Sequence, residues 1–361
     1  MTSDRQRALI ERLLSEAEVA VGAGQWDVVA RHAQSVLVLE ANHLDALALK
    51  AIAERVPASA STQLQVPDRY SVGLVPDAST PNPTDLAVRL EEARTLRHRG
   101  VTYGQQGDFD AAIADYTSVI ESYSADPDPE IRLQVARALY DRGVAHGKQG
   151  NHATGMVDYT SVVDSYSDDS DPAMNEPVAK ALVSRGVAYG RQGEFDAAIA
   201  DYTLVVESYR DDSEPTMRLQ VARAFVSRGD AHELQNHYAS AIADYTSVVE
   251  SYGEDSEPPM RLHVARTLYF RGITHEQHGD STSAIADYIS VVQSYSGDSE
   301  PEIRGVVALA LADRGDAYGR RDDSAAAIAD FTSVVDLYSD DSSIDAGAAL
   351  FQAHEGLSHY Q

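Results

Sequence analysis

The stretch AAIADYTSVIESY, residues 111–123, returns almost letter for letter as AAIADYTLVVESY at residues 197–209. Ile113, Tyr116, Val119, Ile120 and Tyr123 fall three or four apart, so they share one face of a helix. Working outward, the dipeptide Arg-Gly stands at Arg99, Arg142, Arg185, Arg228, Arg271 and Arg314, each 43 residues after the last and with no insertion or deletion. Columns read from that phase hold small residues: Gly100 to Gly315 after each Arg, and Ala112, Gly155, Ala198, Ala241, Ala284 and Ala327 thirteen positions on. Small residues in two such columns let a pair of helices approach closely. Each copy therefore reads as a helical hairpin, and a hairpin with one uncovered apolar face needs a neighbour of the same kind.

Turn and start signals divide each copy. GQQGDFD at residues 104–110 and GRQGEFD at residues 190–196 are Gly-bearing turns with an acid where a second helix begins. DPDPE at 126–130 and SEP at 213–215 and 299–301 are starts of a first helix. In the second copy the first helix is expected from near Pro129 to Gln149 and the second from near His152 to Tyr166.

At these columns, and in ALYDRGVAHGKQGNHATGMVDYTSVV at residues 138–163 above all, the sequence resembles the tetratricopeptide repeat family, in an extended form. The family's usual period is about 34 residues, so the additional nine lie between Tyr166 and the next Arg-Gly. Arg also occupies a position where the family more often has Leu. The expected fold class is all-α, a solenoid of helical hairpins preceded by a short helical unit. That unit spans residues 1–56 and looks like one hairpin of the same family plus a further helix; a Pro/Ser/Thr-rich linker spans 57–84, six repeats 85–342 and a capping helix 343–361.

Composition narrows function. The 361 residues include no cysteine, which excludes thiolate metal sites and thiol nucleophiles. The formal charge is -28, concentrated in the repeats, a field that repels nucleic acid phosphates and anionic membranes. The first residues read as an amphipathic helix rather than a signal peptide, and no run is apolar enough to span a bilayer, which points to a cytoplasmic protein. No phosphate loop, nucleophile elbow or zinc helix is present. His146, His232 and His275 alternate with Tyr103, Tyr189 and Tyr318 in one column, the pattern of packing rather than ligation. Neither metal, cofactor nor catalysis is expected.

Three basic columns remain. Each Arg-Gly arginine has an Asp sixteen residues later, giving six expected structural ion pairs: Arg99 with Asp115, Arg142 with Asp158, Arg185 with Asp201, Arg228 with Asp244, Arg271 with Asp287 and Arg314 with Asp330. Five positions before that arginine stand Arg94, Arg137, Lys180, Arg223 and Arg266, turned about 140° away around the helix. The family resemblance places this early first-helix position on a concave groove where some members hold a partner's carboxylates. It implies that these five bind a peptide or protein partner, with Tyr140, Val183, Val226 and Tyr269 as groove neighbours. The plainer reading pairs Arg137 with Asp141 and Lys180 with Glu176 along the helix. The third column, Arg89, Arg132, Arg218, Arg261 and Arg304, reads as solvated surface, and the loop acids, such as Asp126, Asp168, Asp211 and Glu254, as a capping and solubilising rim. The function expected is a non-catalytic interaction scaffold; the alternative is a structural protein that self-associates into homo-oligomers.

Overall fold

A computed structural model of the chain describes residues 83–339, 341 and 343–360. The chain divides into two compact units, 1–80 and 81–361, and the architecture that follows is that of the second. The N-terminal helical unit expected at 1–56 and nearly all of the linker expected at 57–84 lie outside the described residues.

Thirteen helices follow one another among the described residues, with no strand: α1 (Pro83–Gln105), α2 (Phe109–Tyr123), α3 (Pro129–Lys148), α4 (His152–Tyr166), α5 (Asn175–Gln192), α6 (Phe195–Tyr209), α7 (Pro215–Leu234), α8 (Tyr238–Tyr252), α9 (Pro258–Gln277), α10 (Ser281–Tyr295), α11 (Pro301–Arg320), α12 (Ser324–Tyr338) and α13 (Ile344–His359). Odd-numbered helices α1 to α11 are the first helices of hairpins and even-numbered ones the second, and α13 lies against both α11 and α12. The helices form an all-α array in which each second helix packs on the first helix of its own hairpin and of the next.

Local chemistry sets these boundaries. Proline opens most first helices because its missing N–H is not needed there. At α3, Asp128 accepts hydrogen bonds from the Glu130 and Ile131 amides in front of the helix. The third hairpin differs: DPAMNEP carries a second proline, Pro177, and the entry is a 3₁₀ turn, Pro172–Met174, before α5. The turn between helices needs a left-handed residue, supplied by Gly107, Gly150, Gly193 and Gly279, and by Asn236 and Asp322 in the fourth and sixth hairpins.

The core is the repeated columns. Ile131, Met217, Met260 and Ile303 stand near the start of their first helices and Met174 in the 3₁₀ turn ahead of α5, and Val135, Val178, Val221, Val264 and Val307 follow one turn later, all buried. Burial of each such side chain contributes about 1.5–3 kcal/mol. From the second helices come Tyr116, Tyr159, Tyr202, Tyr245, Tyr288 and Phe331, whose rings lie flat against the helix backbone at Gly100, Gly143, Gly186, Gly229, Gly272 and Gly315. A Cβ at Gly186 would stand 2.6 Å from Tyr202 Cε1.

Beside each ring lies a two-pronged ion pair. Arg185 Nε and Nη2 donate to Asp201 Oδ2 and Oδ1, both at 2.8 Å, and the same fork joins Arg99 to Asp115, Arg142 to Asp158, Arg228 to Asp244, Arg271 to Asp287 and Arg314 to Asp330. The aspartates are buried. A third N–H of Arg142, Arg228 and Arg271 reaches back to Thr117, Thr203 and Thr246 on the preceding hairpin, so one guanidinium ties two hairpins together. The Asp201 hydrogen bond, with that carboxylate's charge, raises the Arg185 pKa against the opposing effect of burial.

The column Arg89, Arg132, Arg218, Arg261 and Arg304 is not free surface, which corrects the sequence reading. Each guanidinium reaches the loop after its own hairpin: Arg89 to Asp126 at 3.3 Å, Arg132 to Asp169, Arg218 to Asp255, Arg261 to Asp298, and Arg304 to Asp341 at 3.2 Å. Four of them also lie over the rings of Tyr166, Tyr252, Tyr295 and Tyr338, 5.5–6.0 Å from the centroids. These acids do double duty, since Asp126, Asp169, Asp255, Asp298 and Asp341 each accept the backbone N–H two residues on with the other oxygen. The third hairpin has Asn175 in this column and lacks the clasp.

Removing one member of a buried fork strands its partner. Arg185→Ala is expected to cost about 3–5 kcal/mol, and the Arg185→Ala/Asp201→Ala double variant to lose clearly less than the two single losses summed. Urea unfolding followed by circular dichroism measures both; simple additivity excludes the coupling.

Candidate functional site

First helices of successive hairpins touch one another, whereas second helices do not pack on each other. That asymmetry makes the first helices the inner wall of the stack, and side chains on it that packing does not consume form the surface available to a ligand.

The wall changes character along its length. Two positions after each Arg-Gly arginine stand Val101, Val144 and Val187, then Asp230, Ile273 and Asp316; five positions after it stand Gly104, Gly147 and Gly190, then Glu233, Glu276 and Gly319. Between α3, α4 and α5 this leaves a cavity of about 260 Å³ lined by Val144, Val183, Val187, Tyr159 and Gly155, with Lys148 and Arg191 also on its lining. It sits where Gly155 replaces the alanine of the other copies and Gly147 adds no side chain. Val187 is 37% exposed, the only large apolar residue of α5 so open.

The five residues of the basic column have different surroundings. Arg94 pairs with Glu130 at 3.0 Å, both well exposed. Arg137 and Lys180 share the Glu176 carboxylate at 2.9 and 2.6 Å. Burial opposes the charge of Glu176, but the Lys180 hydrogen bond and the two cations overcome it and hold its pKa below the usual range. Arg137 does not pair with Asp141, because Arg97 occupies that carboxylate at 2.9 Å. Arg223 Nε donates to His263 Nε2 at 3.4 Å, and neither Arg223 nor Arg266 has an acidic partner among the described residues.

Of the residues expected beside them, Tyr140 packs tilted against Tyr159 with centroids 5.9 Å apart, and Val226 is partly buried. Val183 is buried and lines the cavity. Tyr269 donates to Asp313 at 2.8 Å and so belongs to the acidic end of the wall.

That acidic end went unnoticed in the sequence. Tyr245 donates to Asp230 at 2.7 Å with Glu233 at 3.3 Å. Desolvation and the neighbouring Glu233 push Asp230 up to about 6 despite the tyrosine hydrogen bond. His146 and His232 each keep a buried Nδ1 without a partner, and burial lowers both pKa values. Among the described residues no three His, Asp or Glu side chains gather closely enough to hold a metal ion, and no helix is long and apolar enough to cross a membrane.

A family model described as tetratricopeptide repeat matches residues 99–170 and 183–256. Over these residues the chain belongs to the tetratricopeptide repeat family. Its array resembles the crystal structure of the apo form of RapI, at 9% identity over 97% of this chain and 98% of that one, with a TM-score of 0.52, a likeness of fold alone. The type IV pilus biogenesis factor PilW matches at 13% identity over 72% of this chain and 98% of its own, TM-score 0.49, and Pseudomonas aeruginosa PilF at 18% over 74% and 99%, TM-score 0.47. No curated protein matches the sequence.

His263 lies between two unneutralised arginines. Desolvation, then Arg223 and Arg266, lower its pKa to about 4. A histidine with a depressed folded pKa contributes stability above its unfolded value near 6.5 and loses it as pH falls toward 4. The His263→Gln variant is therefore expected to lose less stability than the parent between about pH 6.5 and 4. Thermal melts across that window check this, and parallel curves contradict it.

Proposed function

We propose that this tetratricopeptide repeat chain is a non-catalytic interaction scaffold that takes an extended segment of a partner protein along the inner wall of its first helices. The observation that carries the reading is the apolar cavity between α3, α4 and α5, opening on that wall beside Lys148 and Arg191. A concave apolar pocket with a few cations suits one apolar side chain of an extended peptide and a carboxylate near it. Arg94, Arg137, Lys180, Arg223 and Arg266 continue that role along the wall, Arg223 and Arg266 most directly since their charge is not already matched by an acid, and Tyr140, Val183, Val226 and Tyr269 supply the apolar flanks. The chain's charge of -28 supports a protein or peptide partner over nucleic acid or an anionic membrane, and we place the protein in the cytoplasm.

A second reading, self-association through the end of the array, draws on Leu337 and Phe351, 62% and 67% exposed on α12 and α13. One experiment separates the two. A benzoylphenylalanine photo-crosslinker in place of Val187 on the inner wall, or of Leu204 on the second helix α6, is irradiated in a lysate of the source cells. Adducts to a different polypeptide at position 187 and few at 204 are expected. Equal labelling at both positions contradicts the inner-wall reading, and adducts of twice the chain mass replace it with self-association.

A further inference from the structure

The last two hairpins hold an unmatched set of charges on the inner wall. Glu276 from α9 and Asp313 and Asp316 from α11 lie close enough that the two aspartates push the Glu276 pKa upward, after desolvation, against the effect of Arg320. Asp313 accepts from Tyr269 at 2.8 Å and from Gln352 Nε2 at 2.8 Å, and the same Gln352 nitrogen reaches Asp316 at 2.7 Å. Asp345 of α13 adds its charge beside Tyr269. Among the described residues the single cation on these carboxylates is Arg320, paired with Glu276 and itself 54% exposed.

The second observation is independent of charge. Tyr288 is wholly buried, and its hydroxyl has no hydrogen-bond partner among the described residues. In the preceding hairpin the equivalent Tyr245 donates to Asp230. For Tyr288 that aspartate's place is taken by Ile273, while Glu276 is engaged by Arg320 and Asp313 by Tyr269 and Gln352. The hydroxyl lies among Glu276, Asp313, Tyr269 and Arg320, which are the groups whose charges bear on it. The ring packs on Gly272 as Phe331 does on Gly315 without a hydroxyl, so the hydroxyl adds nothing to packing and, left without a partner, is costly unless a donor reaches it.

We propose that this end of the wall binds a basic side chain of the partner segment, an arginine or lysine, between Glu276, Asp313 and Asp316, with the Tyr288 hydroxyl accepting from it. The proposal rests on the reading that the wall holds a protein segment, and names the chemistry of one end of that segment. Arg320 shows in place how a guanidinium meets Glu276, and its exposure leaves it free to yield to an incoming one. The carboxylates are too dispersed to enclose a metal ion, and a donor with several N–H groups spans them better. A second copy of a chain charged -28 is repelled from such a surface, whereas a basic partner is drawn to it.

The test uses the full chain and a fluorescein-labelled Gly-Ser peptide carrying two arginines, compared by anisotropy with the same peptide carrying two glutamates, at about 150 mM salt to suppress long-range attraction. The arginine peptide is expected to bind at least about tenfold more tightly than the glutamate peptide, and Glu276→Gln/Asp316→Asn to weaken it about tenfold. Tyr288→Phe removes only an unpartnered hydroxyl, so it is expected to weaken binding about threefold or more while the melting temperature holds or rises. The exposed loop pair Asp211→Asn/Glu254→Gln removes the same charge elsewhere and is expected to change affinity less than about twofold. Equal loss in the two charge pairs, or unchanged binding in both Tyr288→Phe and Glu276→Gln/Asp316→Asn, overturns the proposal. Crosslinking at position 187 is unaffected by that outcome, so failure of the cation site and failure of the inner-wall reading are told apart.

Discussion

The array depends on a ring laid flat on a bare stretch of helix. In each hairpin the aromatic residue of the second helix occupies the space that a Cβ would need at the glycine after the first-helix arginine. Nothing larger than hydrogen fits there, so the helices approach at that point and the ring is buried between them. The contact places the neighbouring Arg and Asp within reach of a two-pronged bond, and the arginine's remaining N–H touches the hairpin before it. Packing inside one hairpin thus sets the distance and angle at which the next one docks.

The proposed function rests on the same geometry. With rings and forks consuming the faces between helices, the first helices are left with a wall whose side chains vary from copy to copy. Where the variable positions are Val and Gly, a cavity opens; where they are Asp and Glu, tyrosine hydroxyls and carboxylates gather. In the proposed function, this uniform scaffold with a non-uniform wall reads a segment by the order of its side chains, apolar or acidic at one end and basic at the other.

Most of the architecture was legible because it repeats. The 43-residue phase of the Arg-Gly dipeptide, the Gly-bearing turns and the proline starts locate α3 and α4 within a residue of their observed ends. The Arg89 column escaped because its partner is 37 residues away across a loop, a distance that no helical period signals. The variable wall escaped for the opposite reason. Columns draw attention to what is constant, whereas Asp230, Glu233, Glu276 and Asp316 are departures from the column, visible only once the shared positions are known to be scaffold. The fates of Arg94 and Arg137 turned on Glu130 and Glu176, acids supplied by the next hairpin rather than by their own helix, whereas Lys180 meets Glu176 one turn away on its own helix, as its spacing signalled.

Gly229→Ala puts the ring-on-glycine contact to the most direct trial, because two physical effects there have opposite signs. An alanine in a helix interior is favoured over glycine by about 1 kcal/mol if nothing else intervenes. Here its Cβ would sit 2.5 Å from Cε1 of the wholly buried Tyr245, and overpacking of that kind costs about 1–3 kcal/mol. Equilibrium unfolding of the full chain is predicted to show Gly229→Ala less stable than the parent, with the loss relieved when Tyr245→Leu is added. A variant as stable as the parent, or more so, would contradict the account.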